Sequence, residues 1–209
     1  MTSSSGTAGT DDGLVVDRDA LDRLAAAPGL LTPQECMKRA RRAADALDLS
    51  SLDRTSAGDA LMLWRSESSE AWLNLWWRAR DTGYHDHDGS CVGVYVIEGV
   101  ARNEPMVVGA PRRVREYKAG DRFAFPGTGI HRMEHDSGAI TIHVYSPPIR
   151  AIGHYEVEDG ELRRRPGSPD EPSVSSPGLL TALTANAQPA RTSALSSTGS
   201  SGPAANVKA

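Results

Sequence analysis

The chain has 209 residues, of which 24% are charged and 39% hydrophobic, and its formal net charge at pH 7 is −4. This length suits one domain with a sizeable core plus tails, and the negative balance gives no basic surface for nucleic acid. Two cysteines are too few for a disulfide scaffold and fit a reducing cytoplasm. No apolar run approaches the ~20 residues of a membrane span, and the first residues lack a signal-peptide pattern. We therefore expect a cytoplasmic protein with no membrane partner.

The first sixty residues combine a polar lead with a helical pattern. Residues 1–13 are small and polar, a composition that predicts a disordered lead. Apolar residues then recur at helical spacing as far as about residue 49. Thr32 is a typical N-cap and Pro33 a typical first helical residue, so a helix should begin there. We expect residues 14–60 to form helices that pack on the main domain.

Residues 61–165 are expected to form one β domain. Short runs rich in β-branched and aromatic residues alternate there with Gly, Pro and Asp, which is typical of a sandwich or barrel. The expected strands are 71–77, 92–97, 112–117, 121–125, 130–133, 139–145 and 154–157. The remaining residues, 166–209, are rich in Ser, Ala and Pro and contain no aromatic residue, so they are expected to be a disordered tail.

Three histidines are spaced so that they can meet at one metal ion. His85 and His87 are two positions apart, so on a strand both side chains project to the same face. His131 lies on a later predicted strand, and imidazole suits Fe, Cu, Ni and Zn. Two alternatives stay open. The first two histidines could be a surface pair on an edge strand, and His135, which follows His131 on one strand, could be a fourth ligand.

The predicted strand 139–145 carries polar residues on one face. Thr141, His143 and Tyr145 lie on that face, and aliphatic residues lie on the other. Such a face can simply meet solvent, or Tyr145 can be a core tyrosine whose hydroxyl is satisfied. Because His131 lies just upstream, at hairpin distance, we expect the polar face to line a metal cavity.

The spacing of histidine, glycine and proline resembles the two motifs of the cupins. The matching residues are His85, His87 and Gly99 in the first motif and Gly120, Pro126 and His131 in the second. The resemblance implies a mainly β, cupin-type barrel (jelly roll) behind a short N-terminal helical segment. Cys91 and Val92 stand at the position of the cupins' glutamate ligand, and His135 stands at that of an asparagine. Without the glutamate, the expected metal ligands are three histidines, which form a face without a negative charge.

His143 and Tyr145 are followed by Ser-Pro-Pro, and over about residues 60–160 the chain resembles the cysteine dioxygenase family. The resemblance implies Fe(II) held by His85, His87 and His131. It implies a relay of Thr141, His143 and Tyr145, with the Tyr145 hydroxyl near the bound thiol and oxygen. It also makes Arg65 the best candidate to bind a substrate carboxylate.

A neutral three-histidine face favours a thiol substrate, because a thiolate brings the negative charge that a carboxylate ligand otherwise supplies. In the family's reaction both atoms of O2 are added to the sulfur of cysteine or a related small thiol, which gives a sulfinic acid. A small thiol and O2 are therefore the expected partners of a monomeric protein. The alternatives are a dioxygenase for another thiol, such as 3-mercaptopropionate, and a non-catalytic metal-binding cupin that acts as a sensor.

The chain departs from the animal enzymes of this family at a cross-link. There a cysteine five residues after the second histidine is joined to the relay tyrosine. Here Val92 holds that position and Cys91 comes one residue early. A shift of one residue reverses the face of a strand, so we expect no thioether between Cys91 and Tyr145. The bulk of Val92 is expected to narrow the pocket.

Removal of residues 166–209 is expected to leave the melting transition and the turnover nearly unchanged, because their composition cannot form a core. The test compares the full chain with one that ends after residue 165, by thermal melting and by turnover. A large loss of either would show that the tail packs on the domain.

Overall fold

The computed structural model describes residues 7–9, 13–26, 28–54, 59–107, 109–158 and 161–165. The predicted tail, 166–209, lies outside them, as does most of the predicted lead. Within the predicted lead, Thr7–Gly9 forms a short strand that pairs with Val15–Asp17.

Two helices lie in the N-terminal segment, and both begin at a capping side chain. Asp17 caps α1 (Arg18–Ala25). The second helix, α2 (Pro33–Asp45), begins where the sequence predicts. The Thr32 hydroxyl accepts a hydrogen bond from the Glu35 backbone nitrogen, and the Glu35 carboxylate accepts one from the Thr32 nitrogen. This reciprocal capping satisfies two of the donors that a helix start leaves free. Neither of these two described helices is long and apolar enough to cross a membrane.

Strands form most of the remaining regular structure of the described residues. In chain order they are β1 (Thr7–Gly9), β2 (Val15–Asp17), β3 (Leu47–Asp48), β4 (Ala60–Arg65), β5 (Glu70–Trp76), β6 (Arg80–His85), β7 (Cys91–Glu98), β8 (Val100–Pro105), β9 (Arg115–Lys118), β10 (Arg122–Phe125), β11 (His131–His135), β12 (Ala139–Ser146), β13 (His154–Glu158) and β14 (Glu161–Arg164).

The strands form one small sheet and two large ones, and all their pairings are antiparallel. The small sheet is β1-β2-β3, and the large sheets have the orders β10-β7-β12-β5-β4 and β14-β13-β6-β11-β8-β9. Side chains of both large sheets meet in one core, among them Trp72, Val94, Ala101 and Met133. The predicted fold class is confirmed: the protein is mainly β, with the packed antiparallel sheets of a cupin-type jelly roll.

All seven predicted strands are present, with end shifts of up to three residues. The largest shift is at 112–117, where β9 begins at Arg115. The predictions omitted β4, β6, β8 and β14, as well as the short strands of the N-terminal sheet. Both β6 and β8 carry buried polar residues, so neither shows the alternation of apolar and polar residues that marks a half-buried strand.

Helix α2 lies directly on β7 and covers the outer face of the five-stranded sheet. A Cβ atom at Gly93 would overlap the backbone of Cys36 and Met37, so the helix reaches the strand only because position 93 has no side chain. The helix residues on this side are small, and Cys36, Ala40 and Ala43 are all fully buried. The contact therefore depends on small residues in both elements.

Replacing Gly93 by alanine is expected to lower the free energy of unfolding by about 1–3 kcal/mol, because the helix must move away from the sheet. Urea denaturation measures this change. Gly29→Ala is the matched control, since no atom lies within 4 Å of the Cβ position at Gly29. Equal stabilities of the two variants would show that the helix does not rest on β7.

Candidate metal centre

Strand pairing brings two of the three predicted metal ligands together, and the third lies just beyond the end of one of these strands. His85 ends β6, and His131 begins β11 directly opposite it in the antiparallel ladder. His87 follows two residues after His85, and its Nε2 lies 3.5 Å from the His131 Nε2. One ligand atom from each of the three imidazoles lies within 4.8 Å of the others, and all three side chains are buried. The predicted cluster therefore forms, and it is not a pair of surface histidines.

Hydrogen bonds orient two of these imidazoles. The His85 Nδ1 lies 3.1 Å from the Gly83 carbonyl oxygen, and the His131 Nδ1 lies 2.7 Å from the Asn103 side-chain oxygen. An Nδ1–H that donates to these oxygens leaves the Nε2 lone pair for a metal, which is how such partners usually fix metal-binding imidazoles. Sequence reasoning missed Asn103, because it lies on a strand without an alternating pattern.

Burial also fixes the charge of the cluster. Loss of solvent lowers the pKa of His85 to about 4, and it lowers the pKa values of His87 and His131 well below their usual range. The imidazoles are therefore neutral near pH 7, the form that binds a metal. Among the described residues the cluster contains no carboxylate. The donor set thus fits a divalent transition metal with three neutral nitrogen ligands.

The predicted relay is a continuous chain of hydrogen bonds on β12. The Thr141 Oγ1 lies 3.1 Å from the His143 Nε2, and the His143 Nδ1 lies 3.0 Å from the Tyr145 hydroxyl. The chain extends one residue further than predicted, because the Trp76 indole donates to the Thr141 Oγ1 at 2.9 Å. At its other end the Tyr145 ring contacts the His87 ring, with centroids 5.1 Å apart.

Burial affects the pKa values of both titratable members of the relay. Loss of solvent lowers the pKa of His143 to about 3, so its imidazole is neutral. Burial, with a smaller effect of the nearby Glu70, raises the pKa of Tyr145. The tyrosine therefore keeps its proton at neutral pH, and its hydroxyl can donate a hydrogen bond beside the three-histidine cluster.

A small cavity lies between the three-histidine cluster and the relay. It has room for about one water molecule. The residues that line it are Trp76, Thr82, His85, His87, Val92, His131, Met133, His135, His143 and Tyr145. His135 stacks on Trp76, with ring centroids 3.6 Å apart and planes 7° apart. It is not a member of the three-histidine cluster, so the geometry does not support it as a fourth ligand.

Arg65 does not line this cavity. Its guanidinium lies on the exposed side of β4 and forms an ion pair with the buried Glu70, with 3.3 Å between Arg65 Nη1 and Glu70 Oε2. Glu70 lies opposite Tyr145 in the ladder, and burial raises the pKa of Glu70 despite the nearby arginine. The structure thus places Arg65 near the site but not in it. The carboxylate-binding role stays a prediction.

The register of β7 agrees with the predicted absence of a cross-link. Val92 pairs with Tyr145, whereas Cys91 pairs with Ser146 and lies on the opposite face of the strand. There the Cys91 thiol lies beside helix α2, with its sulfur 3.8 Å from the Cys36 sulfur. Val92 lines the cavity in the position that was predicted to narrow it.

Three buried histidines between the two large sheets of a jelly roll are the arrangement of a cupin-type metal centre. The family model described as "Cysteine dioxygenase type I" matches residues 48–158, and the chain belongs to that family.

Parts of several solved structures are similar to this chain at low sequence identity. KdgF from Halomonas sp. is 20% identical with a TM-score of 0.37, and the match covers 42% of this chain and 76% of that one. A Bacillus halodurans protein is 15% identical with a TM-score of 0.40, covering 46% and 76%. Oxalate decarboxylase from Bacillus subtilis is 21% identical with a TM-score of 0.35, covering 39% and 21%. No curated protein matches the chain.

Peptide mass spectrometry of the reduced protein is expected to show no species that joins Cys91 to Tyr145 and lacks two hydrogens. The two side chains lie on opposite faces of adjacent strands, so they cannot meet without a change of register. Reduction before digestion excludes a disulfide between Cys36 and Cys91, which would have the same mass loss. Detection of the thioether would mean that a bulge turns Cys91 toward the cavity.

Proposed function

We propose that the protein is a non-haem Fe(II) thiol dioxygenase that adds both atoms of O2 to the sulfur of cysteine or a related small thiol. The product is a sulfinic acid. The observation that carries the proposal is a neutral three-histidine cluster beside a Thr–His–Tyr chain, in a member of the cysteine dioxygenase type I family. His85, His87 and His131 would hold the iron, and bound Fe(II) supplies the one-electron chemistry that lets O2 react with a thiolate.

The charge of the cavity favours an anionic sulfur. Three neutral imidazoles leave the charge of a divalent cation uncompensated, and no carboxylate belongs to the cluster among the described residues. A charge in a site of low dielectric is stabilised by an opposite charge at short range. A thiolate therefore enters this cavity more favourably than a neutral ligand does, and the three histidines select for it.

The relay directs a proton toward the substrate. The Trp76 indole can only donate, so it occupies a lone pair of the Thr141 Oγ1. When the Thr141 hydroxyl donates a hydrogen bond to the His143 Nε2, the neutral imidazole carries its proton on Nδ1 and donates it to the Tyr145 oxygen. The Tyr145 O–H is then free to donate into the cavity. By this arrangement Tyr145 binds a polar atom of the substrate or product, and Thr141 and His143 orient it.

Each of His85→Ala, His87→Ala and His131→Ala is expected to lose most of its iron after anaerobic reconstitution, because each removes one of three ligands. Metal analysis measures iron per chain, and oxygen uptake with mass detection of sulfinates measures the reaction. His135→Phe is the matched control and should keep its iron, since His135 lies outside the cluster. If all three alanine variants keep full iron, the assignment is wrong. Iron binding without a sulfinate from any thiol would favour a metal-binding sensor.

Tyr145→Phe is expected to slow sulfinate formation by at most about 100-fold with little loss of iron, because an orienting hydroxyl falls at the lower end of acid–base effects. Turnover and metal content are measured on the same preparation. Tyr117→Phe is the control, since Tyr117 packs on Phe123 away from the cavity. Equal rates in the two variants would remove Tyr145 from the mechanism.

A further inference from the structure

Two cysteine side chains outside the metal site contact each other between α2 and β7. The Cys36 sulfur lies 3.8 Å from the Cys91 sulfur, and the Cys91 thiol donates to the Leu31 carbonyl oxygen at 3.3 Å. Because the Cys91 proton points to Leu31, the Cys36 thiol is the donor between the two sulfur atoms. The chain contains no other cysteine, and the proposed mechanism uses neither thiol.

The packing of α2 on β7 holds the two sulfur atoms at this distance. The helix lies so close to the strand that a Cβ atom at Gly93 would be 1.9 Å from the Met37 backbone nitrogen. Cys36 precedes Met37, and Cys91 is two positions before Gly93, so its side chain lies on the face of the strand that the helix covers. An S–S bond is about 2.0 Å long, so the sulfur atoms must approach by about 1.8 Å for a bond to form.

The two thiols differ in their access to solvent and in their acidity. Cys36 is fully buried, whereas Cys91 is 8% exposed. The hydrogen bond from Cys36 lowers the pKa of the Cys91 thiol against the opposing effect of burial, and the same bond, together with burial, raises the pKa of Cys36. The thiolate is the form that reacts with oxidants. Cys91 is therefore the thiol that an oxidant meets first, and Cys36 is the partner that can complete a disulfide.

We infer that Cys36 and Cys91 form a peroxide-sensitive dithiol, which closes to an intramolecular disulfide that joins helix α2 to strand β7. A small oxidant such as hydrogen peroxide suits the low exposure of Cys91. The inference does not depend on the proposed function, because both sulfur atoms lie in the core on the outer face of the five-stranded sheet. The two cysteines are 55 positions apart, and a cross-link over such a loop restricts the unfolded chain and stabilises the fold.

The oxidation takes place in two steps. The Cys91 thiolate attacks one oxygen of the peroxide, the O–O bond breaks, and hydroxide leaves and takes up a proton to become water. Cys91 is then a sulfenic acid. The Cys36 sulfur attacks the sulfenic acid sulfur, the S–S bond forms, and the hydroxyl group leaves with the Cys36 proton as a second water molecule. The two cysteines together lose two electrons, which reduce one peroxide to two water molecules.

The test treats the full chain with hydrogen peroxide, free of metal so that the peroxide does not react with iron. Thiol titration of the denatured protein is expected to fall from two thiols per chain to none. A tryptic digest without reduction is expected to contain the peptides of Cys36 and Cys91 joined to each other, and dithiothreitol should reverse both results. The oxidised protein is expected to melt roughly 5–10 °C above the reduced protein, because the cross-link restricts the unfolded chain.

Two matched variants separate the roles of the thiols. In Cys36→Ala, Cys91 has no partner, so peroxide is expected to leave it as a sulfenic acid that dimedone labels. In Cys91→Ala, Cys36 is expected to remain a free thiol under the same treatment, because it is fully buried. Alanine suits position 36, since Ala40 and Ala43 pack on the same side of α2. The wild-type result alone shows whether the disulfide forms, so a variant that does not fold leaves the test intact.

Several results would overturn the inference. One is a wild-type protein that keeps two free thiols after treatment with peroxide, and another is a disulfide between two chains instead of within one. Oxidation of Cys91 to a sulfinic acid beside a free Cys36 would show that Cys36 does not reach it. A lower melting temperature of the oxidised protein would show that the disulfide forms only when α2 leaves the sheet, so that the contact of the native fold does not produce it.

Discussion

The register of β6 against β11 is the constraint on which the candidate site depends. Backbone hydrogen bonds place His131 opposite His85, and a slip by one residue would turn the His131 side chain to the other face of the sheet. On its second edge β11 pairs with β8, which places Asn103 beside the His131 ring. The position and the orientation of one ligand are thus set by the two neighbours of a single strand. The sheet therefore sets the positions of His85 and His131, and His87 follows two residues after β6 ends.

Burial is the second determinant of the chemistry. The sequence contains 6 histidines, and His85, His87, His131, His135, His143 and His154 are all buried in the fold. Loss of solvent disfavours the charged form, which is why the metal-facing imidazoles and His143 are neutral, each with one ring nitrogen that carries no proton. The same loss of solvent keeps the proton on Tyr145. Burial therefore has two effects on the site. It leaves the three histidines neutral, so that they can bind a cation, and it leaves Tyr145 protonated, so that it can donate a hydrogen bond.

Sequence reasoning predicted the parts of the fold where patterns are local. Residues 140–145 alternate strictly, so the strand and its polar face could be deduced from the pattern, whereas the relay was implied by the family resemblance. β6 and β8 could not be deduced, because most of their buried residues are polar and form their hydrogen bonds with residues outside their own strand. Thr82 accepts from the Met133 backbone, and Glu104 receives hydrogen bonds from other elements. The ion pair between Arg65 and Glu70 joins residues that lie opposite each other in the β4–β5 hairpin, and it was missed because β4 was not predicted.

The contact between α2 and Gly93 of β7 shows that the boundary of the family match differs from the boundary of the folded domain. The family match begins at residue 48, after α2 has ended at Asp45. Yet the helix supplies Cys36, Ala40 and Ala43 to the same core as the outer face of β12. A fragment limited to residues 48–158 would lack α2 and would expose the apolar face of the five-stranded sheet to water. Such an exposed apolar face promotes association with other proteins. The segment that matches the family model is therefore shorter than the segment that must fold as one unit.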